Sequence, residues 1–321
     1  MSAVAELHGM LLIGVDEIVG KKKKKSNVIQ LLRRRGDGYE RVDEIRLCRL
    51  NDDGRCIKPH RKEMDIEAIA VQGETVYVMG SHSVARRKID AKKNDYRKNR
   101  ARLLANGRED AGGVDKSGWR KAESRERLLR FRLSDEGMPS GTQEISLADM
   151  LDNVPPLRPF RSLPSKENGV DIEGLAIKGN VLIAGFRAPV FNNEFAIVVR
   201  FDFDAVASGE DQIDPGDILF LRLEGLGIRS LASVSDGFLL LAGPPGQAPG
   251  PYRIYHWNGI DMVPGAGSPG GVAHLVTNIP TSGQAKPEGL VVFEETGEGY
   301  EIGIVEDSAD EPVLRRFRIA R

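Results

Sequence analysis

Residues 171–189 read DIEGLAIKGNVLIAGFRAP. The stretch divides into a strand that begins on a carboxylate (Ile172, Leu175, Ala176, Ile177), a turn at Lys178-Gly179-Asn180, and a strand from Val181 to Ala184 that ends on Gly185 and delivers Arg187. Small and apolar residues dominate both halves, as expected for inner strands packed on both faces.

Versions of this unit recur along the chain. SAVAELHGMLLIGVDE starts at Ser2, EAIAVQGETVYVMGSHS at Glu67, EGLAIKGNVLIAGFRAP at Glu173, RSLASVSDGFLLLAGPP at Arg229 and EGLVVFEETGEGYEIGIVEDS at Glu288. The starts are separated by 65, 106, 56 and 59 residues, a period of about 60 with one interval about 45 too long. Two further strand-like runs lie between units, such as Phe195 to Asp202 and Ile218 to Leu223 in the third, or Val28 to Leu32 and Glu44 to Leu50 in the first. A repeated four-stranded meander that cannot bury its faces alone is the signature of a β-propeller. The expected fold is therefore all-β: one five-bladed propeller over residues 1–321, with four-stranded antiparallel blades and a charged, basic insertion at 84–128 in blade two. The fifth unit ends on its third strand, Val313 to Ile319, while the chain opens on the inner strand of blade one. A closing strand is then either absent or irregular.

Composition adds boundaries. The chain carries 46 Lys and Arg against 47 Asp and Glu, so any preference for charged partners must come from local clusters. Two such clusters are basic, Lys21–Lys25 and the insertion from Arg86 to Arg130, where Lys and Arg outnumber acids about two to one and Tyr96 and Trp119 are interspersed. The only cysteines, Cys48 and Cys56, lack the spacing of a zinc site or a disulfide framework, which suggests a reducing compartment. The apolar run Met10 to Val15 is too short for a signal-peptide core or a membrane span. The expectation is a cytoplasmic protein without a membrane partner.

Loops of a meander alternate between the two faces of the disc, so inner-strand starts and second-strand ends share one face. The starts supply Ser2, Glu67, Glu173, Arg229 and Glu288; the ends supply Asp16, Glu17, His82, Arg187, Glu306 and Asp307. Together they outline a funnel rimmed by carboxylates, with two arginines and a histidine. Glu67, Glu173 and Glu288 converging on one axis suit calcium or magnesium, which take oxygen ligands; equally, each pins a neighbouring blade through backbone N–H groups or an arginine. Asp16, Glu17, Glu306 and Asp307 are candidates to complete a metal site, or are simple turn formers. Arg187 and Arg229 are not demanded by the repeat. They suit a carboxylate or phosphate ligand, or salt bridges to the glutamates. His82 is a candidate acid, base or ligand, but Ser81, His82 and Ser83 are adjacent and cannot form a Ser-His-Asp triad with one another.

At DIEAIAVQGETVYVMGSHS (65–83), DIEGLAIKGNVLIAGFRAP (171–189) and GLGIRSLASVSDGFLLLAG (225–243) the chain resembles a bacterial family known as domain of unknown function 3616. The basic segment after Ser-His-Ser and the late Pro-Glu-Gly-Leu belong to the same pattern, which extends over nearly the whole chain. The resemblance implies a propeller and brings no activity with it. In that family a strand precedes the segment matching Ser-Ala-Val, where this chain starts. A more distant similarity, at the level of the fold, is to esterase-like and phytase-like propellers with Glu-Gly-Leu-Ala inner strands, and folds host unrelated functions.

The leading functional expectation is recognition of a small anionic, phosphate-type ligand by Arg187, Arg229 and Glu67, with calcium or magnesium between it and the carboxylates. One alternative is metal-dependent hydrolysis of a phosphoester or ester using Glu173, Glu288 and His82. Another is an interaction scaffold for an acidic protein or nucleic acid at Lys21–Lys25 and Arg86–Arg130.

Overall fold

The computed structural model of the chain describes residues 1–20, 25–36, 38–50, 56–59, 62–84, 100, 122–210, 212–263, 270–281, 285–307 and 313–321. Blade one is β1 (Ala3–Leu7), β2 (Met10–Gly14), β3 (Val28–Arg35) and β4 (Gly38–Arg46), followed by a two-stranded ribbon of β5 (Cys48–Leu50) and β6 (Cys56–Pro59). Blade two is β7 (Ile66–Gln72), β8 (Thr75–Gly80), β9 (Leu128–Leu133) and β10 (Pro139–Ile145). Blade three is β11 (Asp171–Lys178), β12 (Val181–Ala188), β13 (Phe195–Asp202) and β14 (Ile218–Arg222). Blade four is β15 (Gly227–Val234), β16 (Gly237–Gly243), β17 (Tyr252–Trp257) and β18 (Ala273–Ile279), and blade five is β19 (Lys286–Glu295), β20 (Gly299–Asp307) and β21 (Val313–Ala320).

This is the five-bladed propeller that the repeat predicts, with every blade an antiparallel meander. Blade five has three strands among the described residues. Blade one departs from expectation at its edge. Its fourth strand begins at Gly38 rather than Glu44, because a tight turn through Gly36 (φ +59°) returns the chain at once, and residues 48–50 go to the ribbon. The strand is exposed along most of its length, so its charged sequence GYERVDEIR gives little apolar alternation to read. Cys48 is disulfide-bonded, which removes the support that a reduced thiol would give to a reducing compartment. The basic run Lys21–Lys24 and most of the 84–128 insertion (85–99 and 101–121) lie outside the described residues. Among the described residues no helix is long and apolar enough to cross a membrane.

The inner strands pack in the order β1, β7, β11, β15, β19 and back to β1, closing the ring. Five apolar clusters fill the spaces between neighbouring blades. The seam between blades two and three buries Leu128, Leu147, Leu151, Ile172, Leu175 and Phe186 among others. The seam that closes the ring is the smallest, with Val4, Leu11 and Ile13 of blade one against Val291 and Val305 of blade five. At about 1.5–3 kcal/mol for each fully buried aliphatic side chain, this packing holds the first and last blades together; among the described residues they share no strand.

Close approach between blades is set by glycine. A Cβ on Gly227, which opens β15, would stand 1.9 Å from the backbone carbonyl oxygen of Arg187 at the end of β12. Gly174 and Gly289, the glycines of the Glu-Gly-Leu motifs in β11 and β19, closely face the side chains of Ile228 and Leu231, and of Val4. We expect Gly227→Ala to lower stability in urea unfolding by about 3 kcal/mol, at the upper end of overpacking costs. Gly246→Ala, where nothing lies within 4 Å, should stay within about 0.5 kcal/mol of wild type.

Candidate functional site

Four inner strands carry the same irregularity. In β7 the pairing steps from Ile66 opposite Gly80 to Ala68 opposite Met79, leaving Glu67 as the extra residue of a bulge. Glu173 in β11, Arg229 in β15 and Glu288 in β19 are the extra residues at the equivalent steps. A bulge re-aims one side chain without shifting the rest of the strand, and here it turns four charged residues toward one another. Blade one pairs without a bulge at this point and carries Ser2, whose hydroxyl donates to the carbonyl of Ile66. Arg187 is also a bulge residue, skipped on β12 between Phe186 and Ala188.

These side chains form an alternating chain of charge across three blades. Arg187 donates one Nη to the Asp171 carboxylate and the other to Glu173 Oε1, at 2.5 Å for the second. Arg229 Nη1 lies 3.0 Å from Glu173 Oε2, and its Nη2 lies 2.6 Å from Glu288 Oε1. The order is Asp171, Arg187, Glu173, Arg229, Glu288. Asp171, Glu173, Arg187 and Arg229 are all buried, so the chain fills the floor of the expected funnel. Each of the four Nη groups meets one carboxylate of the chain, while both Nε groups are buried without a partner among the described residues.

Glu67 stands outside this pairing. It is half-buried and has no hydrogen bond or ion pair among the described residues. Burial, and then the charges of Asp65, Glu173, Asp171 and Glu288, push its carboxyl well above the ordinary glutamate range. Burial also raises Glu288, against the pull of Arg229, and raises Asp171 to about 7 despite Arg187.

Beneath the charged layer the next inward residue of each strand is apolar: Val4, Ile69, Leu175, Leu231 and Leu290, all buried. Further along the axis a cavity of about 130 Å³ is lined by residues 4–6, 69–71, 175–177, 231–233 and 290–292, with Glu6 and Ser233 its polar members.

The second-strand ends share this face, as the β1–β2, β7–β8, β11–β12, β15–β16 and β19–β20 pairings require. They do not gather into one cluster. Asp16 lies 3.6 Å from the N-terminal amine, Glu306 is buried against Arg315 at 2.6 Å, and Glu17 and Asp307 are exposed. Among the described residues no three His, Cys, Asp or Glu side chains are arranged to hold a metal ion. His82 is buried with φ +53°, its Nδ1 donating to the Gly80 carbonyl at 2.8 Å and its Nε2 without a partner among the described residues. Burial drives the imidazole to about 3, so it stays neutral.

Several members of the site were missed in sequence. Asp65 and Asp171 precede Glu67 and Glu173 in the twice-used Asp-Ile-Glu, a repeat that does reveal them. Asp65 has no arginine from its own second strand, since Ser81 holds the position of Arg187. Arg125, from a short helix (Ala122–Arg125) at the end of the insertion, meets it at 2.8 Å. Lys166 and Tyr252 come from loops and an outer strand that carry no repeat signal. Both are half-buried within electrostatic range of Arg187, Arg229 and Glu173, and neither has a partner among the described residues. Burial, followed by Arg187, lowers the Lys166 amine.

Fold and site together define a five-bladed propeller with an axial ring of ion pairs at one mouth. The chain belongs to the family of proteins of unknown function DUF3616, whose model matches residues 1–317. No curated protein matches the sequence at a significant level, and the likeness to phytase-type propellers gains no support.

Two outcomes follow. Arg229→Ala leaves Glu173 and Glu288 short of a partner and should cost about 3–5 kcal/mol in chemical unfolding. Glu67 and Asp171 bind protons more tightly folded than unfolded, so their contribution to stability is complete near pH 4 and is lost as pH rises through their folded values, about 7 for Asp171. Glu67→Gln should therefore be more stable than the ligand-free wild type at about pH 8, with the difference vanishing near pH 4.

Proposed function

We propose that the charged mouth binds a small cation, or the ammonium group of a small ligand, at Glu67. One observation carries this reading: the alternating chain begins and ends on carboxylates, and Glu67, next around the ring, feels Arg187 but forms no ion pair with either arginine among the described residues. Four carboxylates (Glu67, Asp171, Glu173, Glu288) face two guanidiniums, and blade one, where alternation calls for a cationic side chain, offers Ser2, with the Met1 amine within electrostatic range of Glu288 but turned to Asp16. Without a ligand, a proton on Glu67 relieves the repulsion; a cation between Glu67 and Glu288 relieves it better.

The carboxylates already paired to every Nη of Arg187 and Arg229 weaken the reading of the arginines as a direct anion clamp. An anionic ligand retains support from Lys166, whose ammonium lies within electrostatic range of Arg187, Asp171 and Glu173 and forms no ion pair among the described residues. In this second reading Lys166 and Tyr252 hold a phosphate-type group above the ion-pair floor. Were the site to hydrolyse such a ligand, Glu67 is the carboxyl free to hand over a proton, since Glu173 lies between two arginines and His82 is enclosed.

Calorimetry and thermal unfolding with calcium, magnesium and simple alkylammonium ions test the first reading. Saturable binding should strengthen as pH rises, because the cation displaces the Glu67 proton, and should disappear in Glu67→Gln. A cation at 100 times its Kd should raise stability by about 2.7 kcal/mol. Binding unchanged in Glu67→Gln, or no binding by any cation, contradicts it; inorganic phosphate binding lost in Lys166→Met supports the second reading instead.

A further inference from the structure

Blades four and five carry a second polar cluster, on the face opposite the charged mouth. His256 on β17 and His274 on β18 are direct cross-strand partners, with ring centroids 5.0 Å apart and planes 35° from parallel. His256 Nε2 lies 3.0 Å from Oδ1 of Asp236, in the turn between β15 and β16. Asp236 is itself held by Arg321, whose Nη2 lies 2.9 Å from Oδ2, and by the Tyr300 hydroxyl at 3.4 Å.

A carboxylate accepts hydrogen bonds, so its contact with His256 puts the ring proton on Nε2 and leaves the Nδ1 lone pair free. That nitrogen makes no hydrogen bond among the described residues. His256 is largely buried, which fixes its ring, whereas His274 is exposed and able to turn. Directly opposite residues on antiparallel strands stand about 4.5–5.5 Å apart at Cβ. With the ring centroids 5.0 Å apart, one ion at about 2.0–2.1 Å from a nitrogen of each ring fits between the two imidazoles.

We propose that His256 and His274 ligate a borderline transition-metal ion of the zinc or copper class, with Asp236 orienting His256 and water completing the coordination. Imidazole nitrogens select such ions over calcium or magnesium, so this site is distinct in chemistry as well as in place from the one at Glu67. A ligating histidine whose other nitrogen is bonded to a carboxylate is the usual outer-shell arrangement around such metals.

The test uses the full chain, titrated with Zn²⁺ by calorimetry and with Cu²⁺ by electron paramagnetic resonance. One equivalent should bind, with nitrogen hyperfine structure from two imidazoles. His274→Ala, at an exposed position that leaves the core untouched, should remove one nitrogen and weaken binding at least about tenfold, and Asp236→Asn should weaken it about 10–100-fold. Glu67→Gln should leave it unchanged, as should His8→Ala, since His8 is tied to Asp135 and the Leu133 carbonyl. No saturable binding in the wild type, or the same affinity and spectrum in His274→Ala, overturns the proposal.

Discussion

The contact on which the site depends is Glu173 held between two arginines of neighbouring blades. A carboxylate buried at that depth is tolerated only if its charge is met, and here Arg187 of its own blade and Arg229 of the next meet it from two sides. Each arginine then requires a second carboxylate, which Asp171 and Glu288 provide. Charge thus fixes the relative register of blades three, four and five at the axis. The bulges put the side chains there, and glycines at 174, 227 and 289 let the strands come close enough.

Blades one and two complete the ring differently. Ser2 reaches across to the backbone of Ile66, and Asp65 is answered by Arg125, which the chain supplies only at the end of the long excursion between β8 and β9. The insertion returns an arginine to the place where blade three uses Arg187. Glu67 is left as the carboxyl of the ring with no ion pair among the described residues. That asymmetry is what separates a mere strut of ion pairs from a place where a ligand has something to gain.

The fold was legible because the unit at 171–189 repeats with small and apolar residues at the same places, and a propeller needs only that periodicity. Which residues share the charged face was legible for the same reason. Bulging was not visible, because the extra residue in Ile66 to Ala68 or Ile172 to Gly174 looks like ordinary alternation until the partner strand is known. Nor was the pairing of the arginines with carboxylates of the same site. A guanidinium that clamps a ligand and one that ties blades together have the same sequence, and only the 2.5–3.0 Å contacts to Glu173 separate them. Lys166 and Tyr252 lie outside the repeat altogether, on a 3₁₀ turn and on a third strand, so no periodicity marks them.

Infrared difference spectroscopy tests the central claim, that the ring leaves Glu67 without an ion pair, most directly. Spectra of ligand-free wild type and Glu67→Gln at about pH 7 isolate the carboxyl stretch of this one side chain. A protonated carboxyl band present in the wild type and missing from the variant is the result predicted from burial and the surrounding carboxylates. A carboxylate band in its place would mean that Glu67 carries its charge already compensated, and would contradict the account.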